Sequence, residues 1–171
     1  EYAKDGAYVM ATIGNYLYRS EDGDSFIQVN SGGLTTSNVG RVEFAIAPSN
    51  SSYAYLSMAT LTGKTRAVYR SVDSGNTWAM IAPGGSSVFE PFAYPSSVYG
   101  QGDYDHTINV SLDDPDHVFL GGIWLYSWHA NKGWNKIATT SLGDPHYYVH
   151  ADMHWVQPHP VDPNIIYFAN D

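Results

Sequence analysis

The chain has 171 residues, 15% aromatic and only 15% charged, with 16 glycines, 14 tyrosines and no cysteine. That mix favours many short strands and tight turns over helices, excludes a disulfide framework, and leaves no apolar run near the ~20 residues of a membrane helix. The net charge is −9 and the eight basic residues are scattered, so no concentrated basic face exists for nucleic acid.

Taken in chain order, residues 7–30 read as three strands that end a repeat unit. Within them Tyr18-Arg19-Ser20-Glu21-Asp22-Gly23-Asp24-Ser25-Phe26 forms a hairpin signal. Residues 41–82 read as a complete four-strand unit, whose last turn is Ser71-Val72-Asp73-Ser74-Gly75-Asn76-Thr77-Trp78. In that turn Asp73 and, more weakly, Ser71 accept backbone N–H groups, Gly75 supplies a positive φ, Thr77 precedes the next strand and Trp78 offers a large apolar side chain to bury. Residues 106–138 read as a second complete unit. Its turn, Ser127 to Trp134, carries His at the Asp position and Asn at the Gly position. Residues 150–170 supply the first two strands of another unit.

Phe26, Trp78 and Trp134 thus mark a repeat of roughly fifty residues. A second repeat interleaves with it: Pro/Asp/Asn turns near Pro48, Pro115 and Pro163 join strand to strand. The expected fold is all-β, a β-propeller of four-stranded antiparallel blades. About three blades are present, which cannot close a ring, so the segment belongs to a larger propeller or partners with other chains. Glu1-Tyr2-Ala3-Lys4-Asp5 is not a secretion signal, and a mature or excised piece fits that start. The connection 83–101, at about 19 residues, is longer than ordinary connections and reads as a functional loop.

The Ser-x-Asp-x-Gly-x-Thr-Trp pattern is the Asp-box. The runs Gly100-Gln101-Gly102-Asp103-Tyr104-Asp105 and His150-Ala151-Asp152-Met153-His154, with the strands after them, sharpen the likeness. Together they resemble the large secreted Asp-box (BNR, sortilin-like) propeller proteins of Bacteroidetes-type bacteria, many of which carry type IX secretion sorting domains. The resemblance covers most of the chain. It implies a seven-or-more-bladed propeller outside the cell or on its outer surface. Ser20, Asp22, Gly23, Phe26, Ser71, Asp73, Gly75, Thr77, Trp78, Ser127 and Trp134 are then structural Asp-box residues. Wider relatives include sialidases and xyloglucanase-like glycoside hydrolases.

Chemistry is sparse. A sialidase needs clustered arginines, and of the four here Arg19 and Arg70 sit inside the hairpins. A glycosidase needs two carboxylates across a sugar, and Glu43, Asp103, Asp105 and Asp152 are the candidates. Aligning the inner strands sets Arg41 with Asp105 and Met153, His106 with His154, and Tyr104 with Asp152. Arg41, Asp103, Asp105, His106, Asp152 and His154 therefore gather at the channel mouth, where they bind a ligand or satisfy one another and ordered water. On a straight strand Asp152 and one histidine lie about 6.6 Å apart and could share a divalent cation, whereas His150 and His154 stand too far apart. No other cofactor is expected. Tyr94, Tyr99, Tyr147 and Tyr148 lie on loops and offer stacking surfaces. The chain reads as a binding or scaffolding module for protein or glycan with no assigned catalytic residue. The alternative is a glycoside hydrolase whose catalytic pair lies partly outside the segment.

Overall fold

The structure, a computed structural model, describes residues 1–86, 88–140 and 148–171. Thirteen strands form among them and no helix. β1 (Val9–Ile13), β2 (Tyr16–Ser20) and β3 (Ile27–Gln28) make a three-stranded meander. β4 (Arg41–Ile46), β5 (Ala54–Ala59), β6 (Thr65–Ser71) and β7 (Ala79–Pro83) make a four-stranded antiparallel blade. β8 (Thr107–Val110), β9 (His117–Gly121), β10 (Leu125–His129) and β11 (Gly133–Ala138) make a second. β12 (Met153–Pro158) and β13 (Ile166–Asn170) pair with each other. The innermost strand β8 packs between β4 and β12, so the sheets follow one another around a common axis as blades of a propeller segment.

The burial of β5 shows why these sheets need neighbours. All six of its residues are buried. Leu56 and Met58 face the first meander with Tyr8, Met10 and Trp78, while Tyr55 and Ala59 face the other way, toward Phe92, Val118 and Leu120. Successive side chains of a strand point to opposite faces, so an unbroken run of buried residues requires cover on both. Each fully buried Leu or Phe stabilises by about 1.5–3 kcal/mol, and the side chains of β5 are divided between the clusters on its two faces.

Polar ties repeat along the same seams. The Tyr8 hydroxyl donates to the Ser51 carbonyl (2.7 Å), and the Tyr55 hydroxyl donates to the Pro115 carbonyl (2.7 Å). Arg19 donates from Nε to the Ser74 carbonyl (2.8 Å), and Arg70 pairs with Asp116. Each hairpin arginine thus reaches the following blade, which removes both from any anion-binding role.

The turn after β6 closes through the expected groups. Asp73 accepts from Ser71 Oγ (2.8 Å), Thr77 N (2.8 Å) and Thr77 Oγ1 (2.6 Å), while Gly75 N donates to Ser71 Oγ (2.9 Å). Burial works against ionisation of Asp73, yet the Thr77 hydroxyl and amide hold its carboxyl below the ordinary value. Gly75 has φ +81°. Trp78 is buried and donates from its indole to the Gly75 carbonyl (3.1 Å).

The other two copies depart from this pattern. In the first, Ser20 and Asp22 cap Gly23, Asp24 and Ser25, but Phe26 stays 41% exposed. That turn is a residue shorter, and a phenyl ring has no N–H to hold it beneath the turn. In the third, Ser127 sits within β10 opposite Asn135 and Phe119 and does not cap the turn. His129 Nδ1 accepts the Asn131 N–H instead (3.2 Å), and the positive φ falls on Gly133 rather than Asn131. Trp134 is half-buried, stacks on Phe89 at 4.5 Å and donates to the Ile81 carbonyl.

Removing the Asp73 carboxylate leaves the Thr77 amide and two hydroxyls without their acceptor. Asp73→Ala should cost about 1–2 kcal/mol in urea unfolding of the whole protein. A change below a few tenths would show that the turn is not held this way.

Candidate functional site

The registers bring one set of loops to one face: the start of β4, the β5–β6 loop, the end of β7, the 84–106 connection, the β9–β10 turn and the start of β12. The connection is pinned to this face. Gly100 N donates to the Thr62 carbonyl, Gly102 N to the Gly63 carbonyl and Gln101 N to the Phe92 carbonyl, each at 2.8 Å. The Glu90 carboxylate accepts from Thr65 N (3.0 Å), Thr65 Oγ1 and Phe92 N (3.3 Å). Gly102 is required by close approach: a Cβ there would lie 2.8 Å from the Ala59 Cβ and 2.9 Å from the Phe92 ring.

The turn at Gln101 delivers Asp105. Its N–H and that of Tyr104 both donate to the Gln101 carbonyl (2.7 Å). The Asp105 side chain is fully buried. With the Gln101 amide oriented to satisfy its neighbours, its nitrogen donates to Asp105 Oδ2 (3.1 Å) and to Asp152 Oδ1 (3.2 Å). Asp105 Oδ1 has no hydrogen-bond partner and lies 3.9 Å from His154 Nε2, which itself contacts Asp171 Oδ1 at 3.1 Å. The Tyr104 ring meets the His154 ring edge-on at 4.8 Å. Burial first, then the hydrogen bond and charge of Asp152, with lesser repulsion from Asp171 and Asp103, push Asp105 up to about 7. Asp152 holds φ +67°, an uncommon conformation for a residue with a side chain.

Arg41 and His106 are tied into the seam between blades, and both line the open groove along the inner strands. Arg41 grips Glu43 Oε1 through Nε (2.9 Å) and Nη2 (2.7 Å), and its Nη1 donates to the Asp103 and Tyr104 carbonyls (3.0 and 2.9 Å). Asp103 itself points its side chain to solvent. His106 is buried beneath Phe92, with ring centroids 4.3 Å apart. Its Nδ1 faces the Gly102 carbonyl (3.2 Å) and its Nε2 faces Ser57 Oγ (2.8 Å). The carbonyl can only accept, so Nδ1 carries the proton and Nε2 accepts from Ser57. Burial, then the Arg41 charge, push His106 down to about 3. The strand alignment that equates His106 with His154 does not carry over to exposure: His106 is buried between blades at the wall of the groove along the inner strands, whereas His154 is a third exposed.

The straight-strand geometry behind a cation shared by Asp152 and a histidine also fails. The backbone turns at Asp152 and β12 begins only at Met153. His150 is exposed beside the Ala151 carbonyl. Among the described residues no three metal-ligating side chains converge. Asp105 and Asp152 both accept from the Gln101 amide nitrogen and the Asp105 carboxyl is fully buried, so the pair does not face an open cleft of the kind in which glycosidase carboxyls flank a sugar.

Tyr94, Tyr99 and Tyr148 are 48%, 69% and 39% exposed on the same face; Tyr147 lies outside the described residues. Tyr94 packs edge-on against Trp124 at 5.4 Å. These two rings border a hollow of about 170 Å³ shared with Lys64, Glu90, Tyr126 and Lys136. A second, open groove of about 400 Å³ runs along the inner strands past Glu43, Asn109, His154 and Gln157. Gln101 and the two lysines are absent from the sequence-derived site. Gln101 matters only because folding sets it between two aspartates distant in sequence.

No protein-family model and no curated protein matches the chain. Among solved structures it is similar to the GH74 enzyme of Niastella koreensis, a β-propeller glycoside hydrolase, with TM-score 0.57 and 18% identity over 92% of this chain. The chain spans 23% of that enzyme's length. At this identity the likeness establishes the fold: an all-β propeller segment of four-stranded blades.

The buried Asp105 makes stability depend on pH with a definite sign. The fold favours its protonated form, so stability falls as pH rises from the unfolded value near ~3.9 toward 7 and levels off above. Asp105→Asn, which mimics the protonated carboxyl, should raise the melting temperature at pH 8 and leave it nearly unchanged at pH 4. A wild-type melting temperature that rises between pH 5 and 7, with no gain from Asp105→Asn at pH 8, would contradict this placement.

Proposed function

We propose that this segment is part of an Asp-box, sortilin-like propeller displayed outside the cell, and that its loop-bearing face binds a glycan. The observation that carries this reading is the 84–106 connection. It is longer than a strand connection requires and is fastened to the blades by backbone and Glu90 hydrogen bonds, yet it holds Tyr94, Tyr99 and Tyr104 exposed. Rigid loops with exposed aromatic rings lose little entropy on binding and offer faces for stacking on sugars. The hairpin turn at Asp73 supports the Asp-box assignment. The secretory setting rests on the resemblance of the Gly100–Asp105 and His150–His154 runs.

A second reading, a glycoside hydrolase domain, draws on the likeness of fold to the GH74 enzyme. Against it stands the burial of Asp105, whose carboxyl is engaged by Gln101 rather than open to a sugar. The two readings separate on the whole protein, screened on a polysaccharide array and assayed for release of reducing ends. The binding reading expects retention of at least one polysaccharide class without release. Replacing both Tyr94 and Tyr99 by Ala should weaken retention by about tenfold or more, since buried aromatic anchors cost about 2 kcal/mol or more each. Release of reducing ends that Asp105→Asn or Asp152→Asn abolishes would overturn it in favour of hydrolysis.

A further inference from the structure

Charge is distributed unevenly on the loop-bearing face. The chain carries nine more acids than bases, and three arginines are spent on carboxylates: Arg19 on Glu21, Arg41 on Glu43 and Arg70 on Asp116. Lys64 and Lys136 have no carboxylate partner among the described residues, yet both line the hollow between the β5–β6 loop and blade β8–β11. Lys64 comes from the β5–β6 loop and Lys136 from β11, so the fold converges them from separate blades.

The rest of the lining defines what sits between them. The Lys136 ammonium lies over the Trp124 ring at 3.9 Å from its centroid and 5.6 Å from that of Tyr126, which fixes its position at the wall. Tyr94 forms the opposite rim, edge-on to Trp124 and half exposed. Glu90 also borders the hollow, but its carboxylate is held by the Thr65 amide and hydroxyl and the Phe92 amide. Two cations against one committed carboxylate leave the hollow with a positive excess. Its volume, about 170 Å³, is below the roughly 300–1,000 Å³ of pockets for drug-sized molecules and suits one ring.

We infer that Lys64 and Lys136, with the Tyr94–Trp124 wall, form a subsite for a sugar ring that bears a carboxylate, the uronate unit of an acidic glycan. The inference rests on the glycan-binding reading above and names the ligand class of that face. The ring packs on the Tyr94 side of the wall, and the carboxylate takes charge-assisted hydrogen bonds from the two ammonium groups. An acidic peptide offers the charge without the ring face, which is why a glycan is the better match.

The test uses the whole protein and three probes in titration calorimetry at low salt: oligogalacturonate, the same oligomer methyl-esterified, and a neutral galactan oligomer. Esterification removes the charge and keeps the ring. The subsite predicts that oligogalacturonate binds at least about tenfold more tightly than either neutral probe, because a hydrogen bond to a charged group is worth more than one decade in affinity. Added salt should weaken only the acidic probe. K64M/K136M, which keeps the apolar stems against Trp124, should abolish the preference while the protein still unfolds cooperatively, and K64R/K136R should retain it. If acidic and esterified oligomers bind alike, or K64M/K136M keeps the preference, the subsite is wrong while glycan binding stands. If none of the probes binds and the polysaccharide array is blank, the glycan reading itself falls.

Discussion

The β4–β7 sheet is covered on both faces by its neighbours, and that constraint governs the rest of the structure. β5 has no solvent face: Leu56 and Met58 need one neighbour, Tyr55 and Ala59 another. A sheet with two apolar faces is unstable alone and stable only in a series. The hydroxyls of Tyr8 and Tyr55, each donating to the following blade, and the arginines at 19 and 70 fix the rotation between successive sheets. Tight turns such as that at Asp73 set the spacing within each sheet.

The same constraint accounts for the polar chemistry at the loop face. Where the β4–β7 and β8–β11 blades meet, residues at the ends of inner strands are drawn into the seam and must find partners there. His106 finds Ser57 and the Gly102 carbonyl; Arg41 finds Glu43 and two carbonyls. Asp105, one residue earlier, is fully buried with one oxygen unpartnered, and it leans on Gln101 and Asp152. Seams therefore consume charged side chains, and what stands outside them is the set of aromatic rings on the 84–106 connection, Lys64 on the β5–β6 loop and Lys136 on β11.

Much of the architecture was legible in the residues because its signals are local. Ser71, Asp73, Gly75 and Trp78 lie within eight positions, and their hydrogen bonds close inside that span, so spacing alone identifies the turn. The degenerate copies were legible less fully. Phe26 and Ser127 hold the right places in an alignment, but burial and capping depend on an indole N–H and a loop length that alignment ignores. The site was legible in membership more than in geometry. Asp105, Asp152 and His154 do meet, whereas His106 turns into the core, because the side chain's direction is set by Ser57 nearly fifty residues away. Gln101, Lys64 and Lys136 carried no signal, since each acquires a role only when separate blades bring it beside its partners.

The placement of His106 between blades is the most direct test of the seam. Its protonation can be followed by nitrogen-15 histidine spectroscopy on the whole protein. A neutral ring protonated at Nδ1, with no titration between pH 5 and 8 and a transition only near 3, agrees with a closed seam against Ser57. An ordinary titration near ~6.5 would mean that His106 reaches water and that the sheets do not stack as described.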